Sequence, residues 1–430
     1  MKAPRRDPMD SLVRERVKIE SESFLSLSDE ALFDRMMGAL GSVFQNTLLF
    51  PQTMLGVICS ELLGRLCRKW FDDGDGRLLK TLFLGMGCLD SAEAGLALGR
   101  LATQACDSGL GGEILATEDF ATLKGRMQGK SGNEFFRAWE AFMSRHGHHA
   151  RAELDVFVPR WRETPDYILH QVKGFLAAPF PLHPLQRSSE REELEKKCRE
   201  SLNPVRRLAF DLVLKGAQRG IALRENLKSE MVRRMGIIRF FLLEAGNRLE
   251  RGTLEERDDV FFLNLEELKN LLVGPVGGGK NADLMETVRE RRREYEYHRG
   301  LNPPSLVVGE FQPEESRPDV PPGEILKGIA VSPGIVTGRA RVILRADQEQ
   351  RVLPGEILVA PFTDPGWTPY FLPAAGIVVD QGGVLSHGSI VAREYGLPAV
   401  VNVGKATCWI KTGQMIQVDG FRGEVRIFPD

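Results

Sequence analysis

Apolar residues recur at helical spacing over the first two thirds of the chain and at strand spacing over the last quarter. From Ser28, a cap with acidic residues behind it leads into Leu32, Phe33, Met36, Met37 and Leu40. Helices are predicted to continue through Ala105, with breaks at Pro51 and at the turn Asp72-Asp73-Gly74-Asp75-Gly76. That turn has the look of a calcium loop. It lacks the alternating ligand set and has Leu84 where a closing acid belongs, so it is read as a turn. Asn203-Pro204 reads as an N-cap and first helical residue. Met231, Met235, Ile238, Leu242, Ala245 and Leu249 follow as a core-facing stripe on one helix. Arg257 to Leu268 is predicted as a short strand or extended piece leading into a helix. Prolines 303, 304, 313, 318, 321 and 322 mark 301–327 as a semi-rigid linker. From Gly328, apolar pairs and runs at 329/331, 336–342, 357–360, 377–379, 399–401, 416/418 and 425/427 alternate with Gly, Pro and Asp turns. One helix, 387–395, interrupts them.

This order predicts an α+β multidomain chain. A mainly helical domain occupies 1–300, the linker 301–327, and a compact β/α domain 328–430. Residues 1–28 are charged and peripheral. The 430 residues suffice for two or three domains, and 42% apolar with 27% charged residues describes an ordinary globular composition. A net charge of −2 gives no reason to expect nucleic acid or an anionic membrane as partner. Six scattered cysteines without a CxxC pair point to reduced thiols and a cytoplasmic setting. The N-terminus lacks the apolar core of a signal peptide. The apolar window Leu40 to Leu63 contains Gln45, Asn46, Gln52 and Glu61, so it is read as a buried helix pair and not a membrane span.

The candidate chemistry lies between two apolar strands, in the run Gly382-Gly383-Val384-Leu385-Ser386-His387-Gly388-Ser389. The glycine pair permits a tight turn with exposed amides. Ser386 is a good N-cap, Gly396 a C′ residue and Pro398 a stop. His387 then sits at the positive end of a helix, in a place suited to an anion. With an ordinary pKa of about 6.5, it is largely neutral near pH 7 and nucleophilic toward phosphorus. Gly382, Gly383, Ser386 and the helix start would hold the phosphate, with Arg393 helping by charge. A histidine that only caps a helix is the alternative.

Three other segments carry possible sites. His146, His148 and His149 lie within four residues but have no supporting cysteine or HExxH pattern, so no metal site is expected. Gly274 to Asn281 fits seven positions of a P-loop. It has Asn281 where Ser or Thr should bind magnesium and follows a helix, so it is rejected as a nucleotide site. Glu153, Arg160 and Trp161 are taken up below.

The histidine run resembles the phosphohistidine segment of the swivelling domain in PEP-utilising enzymes, namely PEP synthase, pyruvate phosphate dikinase and rifampicin phosphotransferase. The resemblance extends to Thr363-Asp364-Pro365-Gly366-Trp367-Thr368-Pro369 and to Gly413–Gly420, covering 326–430. It implies that His387 is the phosphorylated residue. Leu385 stands where pyruvate phosphate dikinases carry a regulatory threonine, so that regulation is not expected. More loosely, His146–Pro165, Arg224-Glu225-Asn226 and Arg257–Leu268 resemble the middle domain of rifampicin-phosphotransferase-like proteins. There the basic residue of the pattern is displaced, because His149 stands two residues before Arg151. Glu153, Arg160 and Trp161 match better. They either line an acceptor cavity or brace the fold.

The resemblance implies a phosphotransferase component of dikinase type. An ATP-grasp module would move the β-phosphate of ATP to His387, and the domain would swing about the linker to a small hydroxylated acceptor. No ATP-grasp domain is visible in this sequence, and no PEP- or pyruvate-binding barrel follows the β/α domain. ATP and Mg are therefore expected on a partner module, with none bound by this chain. A separate subunit, a fragment of a longer product and a decayed enzyme all fit. The alternatives are a non-enzymatic phosphocarrier or binding protein, or part of a split PEP synthase acting on pyruvate.

Overall fold

The computed structural model describes residues 26–429 except 46–49, 75, 87–88, 128–132, 151, 178–183, 275–280, 300–324, 346–351, 365–366 and 385. Nearly all of the N-terminal segment expected to be peripheral, and most of the linker, lie outside these residues. So do most of the rejected P-loop and Leu385. The fold class is α+β, with helices before an eight-stranded mixed sheet. The chain divides into two compact units. One comprises Met1–Leu48, Leu154–Val158 and Glu230–Glu315, and the other Leu49–Glu153, Pro159–Ser229 and Ser316–Asp430. The 46-residue helix Pro204–Leu249 contributes to both, dividing between Ser229 and Glu230.

In the first unit, the predicted stripe faces the core. Ile238, Ala245 and Leu249 are buried with Leu32, Phe33 and Met36, while Met231, Met235 and Leu242 pack partly buried against them. Arg234 is almost fully buried. It is satisfied by Glu230 one turn away and by the Ser42 carbonyl at 3.1 Å. Arg257–Phe262 forms a 3-10 helix and not the expected strand or extended piece. Its first turn is closed locally, because the Glu256 amide donates to the Asp259 carboxylate. That reciprocal cap fixes helical geometry despite the β-prone Val260, Phe261 and Phe262. The helix Leu265–Val273 follows, capped by Asn264 and Glu267 in the same way.

The interruption expected at Pro51 lies just before that residue, between the helices Asp29–Gln45 and Phe50–Phe71. Pro51 belongs to the second unit. It lies in the first turn of Phe50–Phe71, where its missing N–H has no intrahelical partner to lose. Asp73 makes the predicted turn by accepting from the Leu78 and Leu79 amides at 2.9 and 3.0 Å. Asn203 caps the long helix through the Arg206 amide, as its sequence suggests. Gly56 and Gly220 bring the Phe50–Phe71 and Pro204–Leu249 helices together backbone to backbone, and a Cβ on either would collide with the other.

The strands are β1 (Ile325–Lys327), β2 (Ile329–Ser332), β3 (Ile335–Val342), β4 (Ile357–Ala360), β5 (Gly376–Val379), β6 (Ala399–Val401), β7 (Met415–Asp419) and β8 (Glu424–Ile427). Strand structure thus begins at Ile325, within the last residues assigned to the linker. The sheet order is β1-β8-β7-β3-β4-β5-β6-β2, with β3 through β6 parallel and the outer pairs antiparallel. The end strands β1 and β2 are joined only through Gly328, so the sheet must roll up on itself. β4, β5 and β6 are buried throughout, as parallel strands covered on both faces require. One face packs Trp367, Phe371 and Val391, and the other Ala406, Ile410 and Ile416.

Candidate functional site

The helix His387–Tyr395 follows β5, and its first eight residues are buried. Ser386 has the extended backbone of an N-cap, and Gly396 closes the helix at φ +68°. The Ser386 side chain does not cap the helix amides, however. Its hydroxyl pairs with that of Ser389 at 2.9 Å, and Ser389 donates to the Gly383 carbonyl at 2.7 Å. This leaves the first-turn amides without a side-chain acceptor.

Neither glycine of the expected turn takes a positive φ. Gly382 is needed for space instead, since a Cβ there would press on Ser386 Oγ and Val401 Cβ, each at 3.2 Å. A Cβ on Gly383 would meet nothing. Arg393 is 3% exposed, and its guanidinium donates to the Val331 carbonyl at 3.2 Å and the Val384 carbonyl at 2.9 Å. It therefore ties the loop before His387 to β2. Burial lowers its pKa to about 10, against support from Glu394 and Glu225.

His387 itself is 6% exposed. Its Nε2 lies 3.3 Å from the Thr368 hydroxyl, and its Nδ1 is buried without a hydrogen-bond partner. Its pKa is held well below the ordinary value, first by burial, then by the charges of Lys228 and His149. The ring is thus kept neutral, which is the nucleophilic form.

The groups that act on His387 come from the helical part of the same unit. The His387–Tyr395 helix packs on the Asp90–Asp107 helix, where Tyr395 and Thr368 cover Gly95. Ile390 enters the core formed by Leu63, Leu82 and Phe210. Met86 N donates to Glu394 at 2.9 Å. Lys228 is half-buried on the long helix, one turn beyond the buried Glu225. Burial raises the Glu225 pKa, opposed by Arg224, Lys228 and Arg393.

The structure brings Glu153, Arg160 and Trp161 together around His149, which the sequence singled out only in the histidine cluster and as the displaced basic residue of the family pattern. His149 Nδ1 lies 2.6 Å from Glu153 Oε1, with both side chains nearly inaccessible. Arg160 is fully buried and donates to the Glu153 carbonyl at 2.9 Å. Trp161 packs its ring 5.0 Å from that of His149, and its amide donates to the His149 carbonyl. His149 Nε2 is buried and makes no hydrogen bond. Among the described residues, no group of three or more His, Cys, Asp or Glu could hold a metal ion.

Lys228 was missed. Its signal was position, four residues after Arg224 and three after Glu225, hence on one helix face. A separate cleft of about 560 Å³ lies in the first unit among Phe157, Phe261, Phe262, Arg291 and Tyr295. It contains none of the expected site residues. Among the described residues, no helix is long and apolar enough to cross a membrane.

Residues 49–225 match the family described as rifampicin phosphotransferase fourth domain, and residues 352–423 match the PEP-utilising enzyme mobile domain. The chain is similar to the rifampicin phosphotransferase of Bacillus cereus, with 32% identity over 72% of this chain and 36% of that one. It is 33% identical to the Streptomyces sviceus rifampicin phosphotransferase over 90% of this chain and 45% of that protein. It is 35% identical to the prodigiosin synthesizing transferase PigC of Serratia marcescens over 67% of this chain and 33% of that protein. The chain thus spans less than half the length of these relatives.

Proposed function

Because the chain belongs to the PEP-utilising, rifampicin phosphotransferase-like proteins, carrying their mobile domain and their fourth domain, we propose that it receives a phosphoryl group on His387 and passes it to a small hydroxylated acceptor held by the helical residues 49–229. In this reading, 1–300 serves the acceptor, 301–327 is the linker and 328–430 travels. ATP and magnesium belong to an ATP-grasp module, in the same polypeptide or a partner, which moves the β-phosphate of ATP onto the histidine. The cytoplasm is the compartment this chemistry requires.

The observation that carries the reading is the environment of His387. It is buried at a helix start, kept neutral, and placed under the influence of Lys228 and His149 from the helical segment. A neutral imidazole attacks phosphorus. The dianionic phosphoryl group it gains would then be stabilised by the first-turn amides and the Lys228 ammonium. Arg393 serves through the loop it ties down, and Gly382 and Ser386 through the space and shape of that loop. The acceptor is left open, because similar modules occur in a rifampicin phosphotransferase and in a prodigiosin synthesizing transferase.

The test uses ATP labelled at the β-phosphate, with the chain alone and with extract from its own host. Acid-labile, alkali-stable label on the wild type but not on His387→Ala is the expected result. Absence of label under both conditions, with folded protein, overturns the reading.

A further inference from the structure

We propose that His149 is the general base of the discharge step, oriented by Glu153 and taking the proton of the acceptor hydroxyl on its Nε2. This rests on the phosphotransferase reading above. The geometry is that of an oriented base. The Glu153 carboxylate accepts from Nδ1 at 2.6 Å, which fixes the tautomer with the lone pair on Nε2. Glu153 is held in place from behind by the fully buried Arg160, bonded to its carbonyl at 2.9 Å. Trp161 flanks the ring and His148 lies on it, 4.2 Å between centroids, so the imidazole cannot swing. Nε2 is buried and unpartnered, an arrangement that costs free energy unless a ligand completes it.

The second requirement is proximity to the reacting phosphorus. An imidazolium on His149 and the Lys228 ammonium both oppose a proton on His387, which puts both groups of the helical segment near it. Lys228 has no lone pair with which to take a proton from a hydroxyl, whereas His149 in its neutral form offers one on Nε2. A hydroxyl seated between the two histidines would have phosphorus on one side and Nε2 on the other.

The step balances without a further reactant. The acceptor oxygen attacks phosphorus and forms the P–O bond. The P–N bond to His387 breaks, its electron pair returns to the ring nitrogen, and the ring, which has kept the proton on its other nitrogen since charging, leaves as neutral imidazole. The hydroxyl proton moves to His149 Nε2, and the resulting imidazolium is stabilised by the Glu153 carboxylate. Glu153 keeps its negative charge, and the proton later leaves to solvent.

The test separates charging from discharge. The intact chain is charged chemically with phosphoramidate, and the phosphoimidazole is followed by ³¹P NMR. Water, ethanol, trifluoroethanol and rifampicin are offered as hydroxyl probes to wild type, H149Q and E153Q, each checked for folding by circular dichroism. Equal charging of all three is expected. Discharge is expected to slow about 10²-fold or more in H149Q and less in E153Q. The loss should be greatest for ethanol and least for the more acidic trifluoroethanol, which depends less on a base. H149Q discharging at the wild-type rate to every probe overturns the proposal. So does loss of charging in folded H149Q, which would make His149 a positioning residue for His387. A wild-type phosphorylated chain that no hydroxyl discharges overturns both the proposal and the acceptor reading. Failure of folded wild type to charge at His387 overturns the carrier reading itself.

Discussion

Gly388 meets Thr363 so closely that a Cβ on the glycine would overlap the Thr363 hydroxyl, with the Thr363 Cβ 3.3 Å away. Two parts of the histidine motif that are distant in sequence touch here. The residue after His387 must be glycine for the helix start to seat against the loop that begins at Thr363.

Gly388→Ala should therefore displace the first turn of the histidine helix. Overpacking of this kind costs about 1–3 kcal/mol. Thermal denaturation should show that loss, and phosphorylation of His387 should fall more than stability does. Gly388→Ala combined with Thr363→Ser removes only a methyl group and should leave both defects. Thr363→Ala in the same background removes the hydroxyl as well and should relieve both defects. Failure of the second double variant to restore charging would mean that the glycine is needed for something other than space.

Gly95 marks where the mobile domain rests on the Asp90–Asp107 helix. A Cβ there would run into the Tyr395 hydroxyl, with Thr368 Cγ2 at 2.7 Å and Leu372 Cδ1 at 3.3 Å. Gly95→Val should loosen this seating and, by pressing on Thr368, disturb the contact to His387 Nε2 as well. Amide exchange of the 387–395 helix should accelerate, and both charging of His387 and transfer to an acceptor should slow. Unchanged exchange in that helix would show that Gly95 does not govern the seating.

The strands, the histidine helix and its Gly396 terminus were legible because each rests on local patterns: two-residue alternation, caps and stops. The 3-10 turn at Arg257–Phe262 was misread because three β-prone residues outweighed the acidic cap made by Asp259. The tight turn expected at the glycine pair is present, closed by the Ser386 amide on the Gly383 carbonyl, but the need of Gly382 for space against Ser386 and Val401 is a tertiary effect that no local pattern shows. Around the second histidine, Glu153, Arg160 and Trp161 could be singled out by pattern, and His149 by its cluster, but their enclosure of His149 could not. That His149 points its Nδ1 at Glu153 is a consequence of tertiary folding around the backbone bond from Trp161 to His149. Lys228 reaches His387 only because two segments 159 positions apart are brought together (387 − 228).

Arg393 offers a test of bracing against direct phosphate binding. Its guanidinium is occupied by the carbonyls of Val331 and Val384, and little of it is exposed. Arg393→Met leaves both carbonyls without their donor and should destabilise the domain by about 3 kcal/mol. If bracing is the role, His387 in the refolded fraction should still charge, and added phosphate should stabilise wild type and variant equally. A charging defect much larger than the stability loss would instead assign Arg393 to the phosphate.

The pH behaviour of His387 follows from its surroundings. Burial is the largest cause of its lowered pKa, and Lys228 is the next. Charging requires the neutral ring, so in the wild type the acid limb of charging should fall below the usual value of about 6.5. Lys228→Met removes a positive charge that opposes protonation, so the His387 pKa should rise. It should remain below 6.5, because burial persists. The acid limb should move up with it, and an NMR titration of His387 should show the same displacement. Stability has the corresponding sign. The unfolded chain takes up this proton near pH 6.5 while the folded chain resists it, so the contribution is fully present above 6.5 and is lost as pH falls toward the folded pKa. Lys228→Met should shrink this acid loss. A variant whose His387 titrates at the wild-type pH would show that Lys228 does not act on the histidine, and its assigned role in holding the phosphoryl group would fall with it.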